Sequence, residues 1–230
     1  LPNGKPVVLK ADGTVEVVGM GSVSLPESIP AGSEYVFSAA STSPNDLNFD
    51  PNTAGKFVVA YNSGGNGYAA VGTVVGTTIS FGTAVSFNAI TTYPLSMAFD
   101  PNTANKFVVA YSDGTGGGRA TAIVGTVSGT TISFGTGYQL SANLAGYISV
   151  SFDPNTANKF VVVYSDAGNA HYGTAIIGTI SGTSISYGSK YVFNSAGTTN
   201  YDTVAFDPNT ANKFVVVYAN GNSSYSTAKV

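Results

Sequence analysis

Phe152-Asp153-Pro154-Asn155-Thr156-Ala157-Asn158-Lys159-Phe160-Val161-Val162-Val163-Tyr164 is the stretch from which the fold is read. It recurs four times, with its aspartate at Asp50, Asp100, Asp153 and Asp207, so the chain has a period of 50 to 54 residues. Pro sets one φ angle, while Asp and Asn bond their own backbone and tolerate positive φ, so Asp-Pro-Asn-Thr is a turn. Residues 160–164 are continuously apolar and β-branched, which suits a strand and is too short for a helix. Working outward, residues 147–152 form an apolar-rich strand before the turn. After a loop of Ser, Asp, Gly and Asn, residues 173–180 read as a third strand. Ser181-Gly182 closes it with a tight hairpin. Residues 183–187, continuing to Phe193, read as the fourth strand of an antiparallel meander.

A sheet with one wet face alternates apolar and polar residues along each strand. Residues 57–61, 107–111, 160–164 and 214–218 do not alternate, so each strand must be covered on both faces by neighbouring units. Four-stranded units of this length stacked face to face predict an all-β fold, a β-propeller of four-stranded antiparallel blades. A β-solenoid is the alternative, with repeats that are usually shorter. The last repeat has three strands, at residues 203–206, 214–218 and 226–230. Before the first repeat, Ser33-Glu34-Tyr35-Val36-Phe37-Ser38 matches Ser189-Lys190-Tyr191-Val192-Phe193-Asn194, and Ser22-Val23-Ser24-Leu25 matches Ser184-Ile185-Ser186-Tyr187. The N-terminal segment is therefore expected to supply the missing strand and close a four-bladed ring, which removes two sheet edges. The alternative is a piece of a longer chain cut within a repeat, and a start at Leu1 fits a trimmed or partial chain.

The expected domains are residues 1–21, a small hairpin turning at Asp12-Gly13, and residues 22–230, the four-repeat propeller. The hairpin is read as a cap or as an attachment element. Only 9% of residues are charged and the net charge is −3, which argues against a nucleic-acid surface. The chain has no Cys and hence no disulfide or thiolate chemistry. No run approaches the roughly 18 apolar residues of a membrane span.

The Asp-Pro-Asn-Thr turns and Ser-Gly hairpins are nearly constant between repeats. The loops at 62–67, 112–119, 165–172 and 219–225, and the connections at 88–93, 141–147 and 195–201, vary. Successive connections of a meander alternate between its two ends, so the variable loops share one face, which is where binding is expected. No Asp-x-Asp-x-Asp loop points to a metal, and no Gly-x-Ser-x-Gly points to a nucleophile. No catalytic residue, metal or cofactor is expected. Ser112-Asp113-Gly114 and Ser165-Asp166-Ala167-Gly168 are faintly similar to the Asp-box of sialidase-type propellers. Their anchoring aromatic is missing, and Arg119 is the chain's single Arg where a sialidase needs a cluster. The candidate ligand-binding residues at the variable loops are Tyr68, Arg119, His171, Tyr172 and Tyr225. A Tyr ring can stack on a sugar face while its hydroxyl bonds sugar hydroxyls.

The repeat, read through Gly-Thr-Ala-Ile-Ile-Gly-Thr-Ile-Ser-Gly-Thr-Ser-Ile-Ser-Tyr-Gly, resembles repeats in large proteins of marine bacteria and their phages. Residues 4–18 resemble segments of tailed-phage virion proteins, both fibres and head-surface proteins. That resemblance implies a non-enzymatic structural or display protein, a virion decoration or fibre protein at a virion or extracellular surface. The implied partners are other virion or surface-assembly proteins reached through residues 1–21, a glycan, or a second copy, with no nucleic acid and no membrane insertion. The alternative is a secreted lectin-like propeller that binds glycans blade by blade, for which the loops should repeat one aromatic set.

Overall fold

The computed structural model describes residues 7–9, 15–17, 32–114, 118–223 and 225–230. The chain divides into two compact units, Leu1–Gly32 and Ser33–Val230. In the first, β1 (Val7–Leu9) pairs antiparallel with β2 (Val15–Val17), with Val8 opposite Glu16; the expected turn at Asp12-Gly13 lies outside the described residues. Residues 22–25, matched above to a fourth strand, lie outside the described residues.

The second unit is all-β and propeller-like, with one antiparallel sheet, or blade, per repeat. The first blade contains β3 (Thr42–Phe49), β4 (Lys56–Ser63), β5 (Asn66–Val75), β6 (Thr78–Phe81) and β7 (Val85–Asn88). The second contains β8 (Thr92–Phe99), β9 (Lys106–Asp113), β10 (Arg119–Ser128), β11 (Thr131–Phe134) and β12 (Tyr138–Ser141). The third contains β13 (Ala145–Phe152), β14 (Lys159–Asp166), β15 (Tyr172–Ser181), β16 (Ser184–Tyr187) and β17 (Tyr191–Asn194). The fourth has three strands, β18 (Thr199–Phe206), β19 (Phe214–Asn220) and β20 (Tyr225–Lys229).

The expected fourth strand is in fact two short ones that share the outer edge of the third. In the third blade, β16 pairs along residues 178–181 of β15 and β17 along residues 173–175. The break falls at Gly82 and Gly135, where the neighbouring blade's hairpin packs against bare backbone. A Cβ on Gly135 would stand 2.7 Å from the Thr183 carbonyl oxygen, and one on Gly82 would meet that of Thr130. No side chain fits there, so the strand must bend at a glycine.

The prediction that each second strand is covered on both faces holds in the interior. Phe160, Val161, Val162, Val163 and Tyr164 are all fully buried, as are Phe107 to Ala110. Inner strands β3, β8, β13 and β18 lie side by side in that order. Side chains stitch them together: Met97 N donates to Asp46 Oδ2 at 2.7 Å, Val150 N to Ser96 Oγ at 3.4 Å and Val204 N to Ser149 Oγ at 3.3 Å.

The Asp-Pro-Asn-Thr motif does more than turn the chain. Each Asp accepts the backbone N–H two residues on at 2.9 Å, as expected of the turn. The second carboxylate oxygen of Asp100 accepts Asn158 N at 2.8 Å, and that of Asp153 accepts Asn212 N at 3.3 Å, each from the following blade. Asn102 Nδ2 donates to Pro154 O at 3.0 Å, and Lys159 Nζ to Asn212 Oδ1 at 2.9 Å. At Asp100 and Asp153 the motif therefore staples one blade to the next. Its Asn105, Asn158 and Asn212 sit near φ +62°, with Gly55 at the same place in the first blade; this is the left-handed region that Asn tolerates.

The expected ring closure is not formed among the described residues. Residues 33–38 make no strand, and the outer edge of β20 carries no partner. The Phe37 ring is held instead against blade one, 5.2 Å from Tyr61 and 5.4 Å from Phe81 between centroids.

Candidate functional site

Backbone hydrogen bonds define the two ends of the blades. At one end the constant turns meet the constant hairpins, with Val74 N donating to Gly55 O, Val127 N to Asn105 O and Ile180 N to Asn158 O at 2.7–2.9 Å. At the other, variable loops meet variable connections, with Thr92 N donating to Gly65 O, Ala167 N to Leu144 O and Thr199 N to His171 O at 2.9–3.1 Å. The segregation of variable from constant loops is thus physical.

Three of the five sequence candidates occupy one repeated position on the variable face. Arg119, Tyr172 and Tyr225 each open the third strand of their blade, opposite Asp113, Asp166 and Asn220. Arg119 and Tyr225 are exposed and Tyr172 is half-buried. Each lies in a different blade. His171 is exposed at φ +60°, and its carbonyl accepts Thr199 N and, at 3.2 Å, Ser165 Oγ. Its backbone holds the loop while the ring stands at the surface. Tyr68 is different: it stacks on buried Tyr61 at 5.9 Å and belongs to the flank of the blade-one core.

The sequence reading missed the inner row. Tyr147 and Tyr201 begin the inner strands of blades three and four, and Tyr93-Pro94 takes that place in blade two. Tyr93 is 62% exposed, Tyr147 41% and Tyr201 74%. The rings of Tyr147 and Tyr201 lie 5.1 Å apart at 53°. Both residues have positive φ, +50° and +56°, at a bulge where the inner strand shifts register. That conformation is uncommon for an aromatic residue and costs on the order of 1 kcal/mol. A cavity of about 300 Å³ lies beside Tyr147, bounded by Tyr93, Pro94, Leu144, Ala145 and Gly146. The available signal was an aromatic five residues before the Phe of the turn motif, at Tyr147 and Tyr201.

Polar groups flank this row. Asp166 is buried and receives Lys190 Nζ at 3.0 Å, Ser141 Oγ at 3.3 Å and Gly168 N at 3.1 Å. Lys190 Nζ also reaches Ser141 Oγ at 3.2 Å. Because Ser141 belongs to blade two and its partners to blade three, this cluster is a clamp between blades. Asp202 follows Tyr201 and is buried with neither carboxylate oxygen hydrogen-bonded. Leu95 and Ile148 fill its place in the preceding blades. Burial raises its carboxyl to about 7, since burying a charge disfavours the ionised form. Burial likewise pushes up the phenols of Tyr111, to about 12, and of Tyr164 and Tyr187. Tyr111 and Tyr164 are buried and Tyr187 is half-buried, and all three are neutral side chains. Among the described residues no group of three or more His, Cys, Asp or Glu is placed to hold a metal ion. No helix among them is long and apolar enough to cross a membrane.

No protein-family model and no curated protein matches the chain. Among solved structures, a thermostable family-43 glycoside hydrolase matches over 82% of this chain and 70% of its own, at 13% identity and a TM-score of 0.45. The expectations of a virion display protein and of a chain without enzymatic activity find no support in these comparisons and are withdrawn. At that level of similarity the match assigns this chain neither a reaction nor a catalytic residue.

Proposed function

We propose that this chain is a secreted, lectin-like propeller that binds glycans on its variable face. The observation that carries the reading is the inner row of exposed tyrosines at the blade junctions, with Tyr147 and Tyr201 held at positive φ and Tyr93 and Tyr147 lining a cavity. Sugars present C–H faces that pack on aromatic rings and hydroxyls that bond phenols and backbone groups, and this row offers both. A multivalent lectin needs an aromatic that recurs from blade to blade. The loops lack one, but the inner-strand start supplies it at Tyr147 and Tyr201, with Tyr93 one position earlier in its own blade. Arg119, Tyr172 and Tyr225 would extend the face outward, so a bound oligosaccharide would run from the blade junctions toward the rim. Several weak sites on one face reinforce one another through avidity.

The test is a glycan array probed with the whole chain, followed by titration of the best-bound oligosaccharide. Tyrosine fluorescence reports the titration without interference, because the chain has no Trp. Tyr147→Ala and Tyr201→Ala are each expected to weaken binding about two- to tenfold, the range of a lost aromatic contact. An array with no bound glycan, or affinities unmoved by both substitutions, would overturn the reading.

A further inference from the structure

Each junction between blades is built from the same parts, and the two ends of the blade row each expose half of those parts. At an interior junction the second strand of one blade presents two valines to the next: Val161 and Val163 of blade three are fully buried against blade four. Their counterparts in blade four, Val215 and Val217, are 37% and 39% exposed. The receiving half is the inner strand of the next blade, where Met97 and Phe99 of blade two are 3% and 4% exposed. The corresponding Leu47 and Phe49 of blade one are 49% and 52% exposed. The stitch between inner strands also stops short: Asp46, Ser96 and Ser149 each accept an N–H from the following blade. Thr203, next in the series, accepts no such N–H among the described residues.

A third component identifies the occupant. Phe87 on β7 and Phe193 on β17 pair with the third strand of their own blade but pack their rings on the next. Phe87 lies 5.2 Å from Tyr111 and 5.5 Å from Phe134, and Phe193 lies 5.1 Å from Tyr218. Phe37 packs on Tyr61 and Phe81 in the same way, yet its segment has no third strand to pair with. Conversely, β20 is a third strand with an open outer edge. Beside it lies a small apolar notch between Phe193, Phe214 and Val216. The open strand and the unpaired segment are complementary, but within this chain they stand at opposite ends of the row. Both terminal faces are exposed, so they do not cover each other.

We infer that a second copy of this chain docks head to tail, its blade one on blade four of the first, forming a blade junction between subunits. Residues 35–38 of the second copy add to the edge of β20 as β17 adds to β15. The register follows from that pair. Thr174 faces Val192, Ala175 faces Tyr191 and Gly173 faces Asn194; hence Thr227 faces Val36, Ala228 faces Tyr35 and Ser226 faces Ser38. The incoming Leu47 and Phe49 cover Val215 and Val217. Such an interface joins two different surfaces, so its repetition builds either a closed ring or an open row.

The absence of cysteine permits a direct test. Val36→Cys and Thr227→Cys place thiols at exposed or half-exposed positions where neither should disturb folding. Mild oxidation of the double variant is expected to give disulfide-linked dimers and larger species on a non-reducing gel, while either single variant leaves no ladder. Sedimentation of the unmodified chain should show mass rising with concentration, and Val217→Lys should return it to a monomer with an unchanged circular dichroism spectrum. A double variant that forms only an internal disulfide would overturn the inference in favour of closure within one chain. So would a folded variant that forms none, or a chain that stays monomeric at all concentrations.

Discussion

Blades three and four carry the same pentapeptide, Phe-Val-Val-Val-Tyr, at residues 160–164 and 214–218. In blade three all five side chains are fully buried. In blade four Val216 and Tyr218 are buried, whereas Val215 and Val217 alternate with them and face outward. Local sequence made both strands; burial on the second face came from a neighbour that one strand has and the other lacks. A run without alternation therefore marks a strand meant to be covered twice, whether or not the cover is present.

The sharpest way to break this comparison is to place the same charge in both. Val163→Asp would bury an unpaired carboxylate between blades three and four and is expected to cost about 4 kcal/mol or more, enough to unfold much of the protein. Val217→Asp reaches water and is expected to cost under about 1 kcal/mol in the monomer. Urea denaturation of the two variants at low concentration reads the difference, and equal losses would show that the fourth blade is covered after all.

Asp202 sharpens the comparison from the opposite direction, as a carboxylate where blades two and three bury Leu95 and Ile148. Burial pushes its folded carboxyl up to about 7 from the ordinary value of 3.8. The folded state therefore holds the proton more tightly, and the stability from Asp202 is complete below about pH 4 and lost as pH rises through 7. Asp202→Leu should remove this loss and stabilise the protein at pH 8 by on the order of 4 kcal/mol. Urea midpoints at pH 4 and pH 8 check it: the variant should lose the decline that the unmodified chain shows between them. An unchanged decline would assign the pH dependence elsewhere.

The smallest expected effect separates two copies of the turn. Asp153 bonds its own turn and the following blade, so Asp153→Ala should cost about 1–3 kcal/mol. The Asp207 carboxylate bonds only its own turn and is half-buried; it is held below the usual range by the backbone N–H of Asn209 and the Thr210 hydroxyl. Its contribution exists above the ordinary carboxylate pKa and fades as pH falls through the lower folded value. Asp207→Ala should therefore leave the thermal midpoint at pH 7 less affected than Asp153→Ala does. A larger shift at Asp207 would mean that the staple adds nothing to the turn.

Much of the architecture was legible because the repeat presents the same local chemistry four times. The turn, the strands on either side of it and the Ser-Gly hairpin all follow from φ preferences and β-branching. The two-faced arrangement of constant and variable loops follows from the meander. The site was less legible. Arg119, Tyr172 and Tyr225 were found as variable-loop residues, but that they share one register position is a property of the paired strands. Tyr147 and Tyr201 fell at the margin of the variable connections, since nothing in a single tyrosine reveals that the backbone will turn it outward at positive φ.

The sequence by itself determined the period, the strand content, the turn chemistry and the need of each second strand for cover on both faces, because these depend on residues close in the chain. Only the tertiary structure decided which faces are covered, that Asp100 and Asp153 reach across to the next blade, that Asp202 is stranded without a partner, and that Phe37 lies on blade one while β20 stays open. Those outcomes depend on groups far apart in the chain meeting at a set distance, and no local preference encodes that meeting.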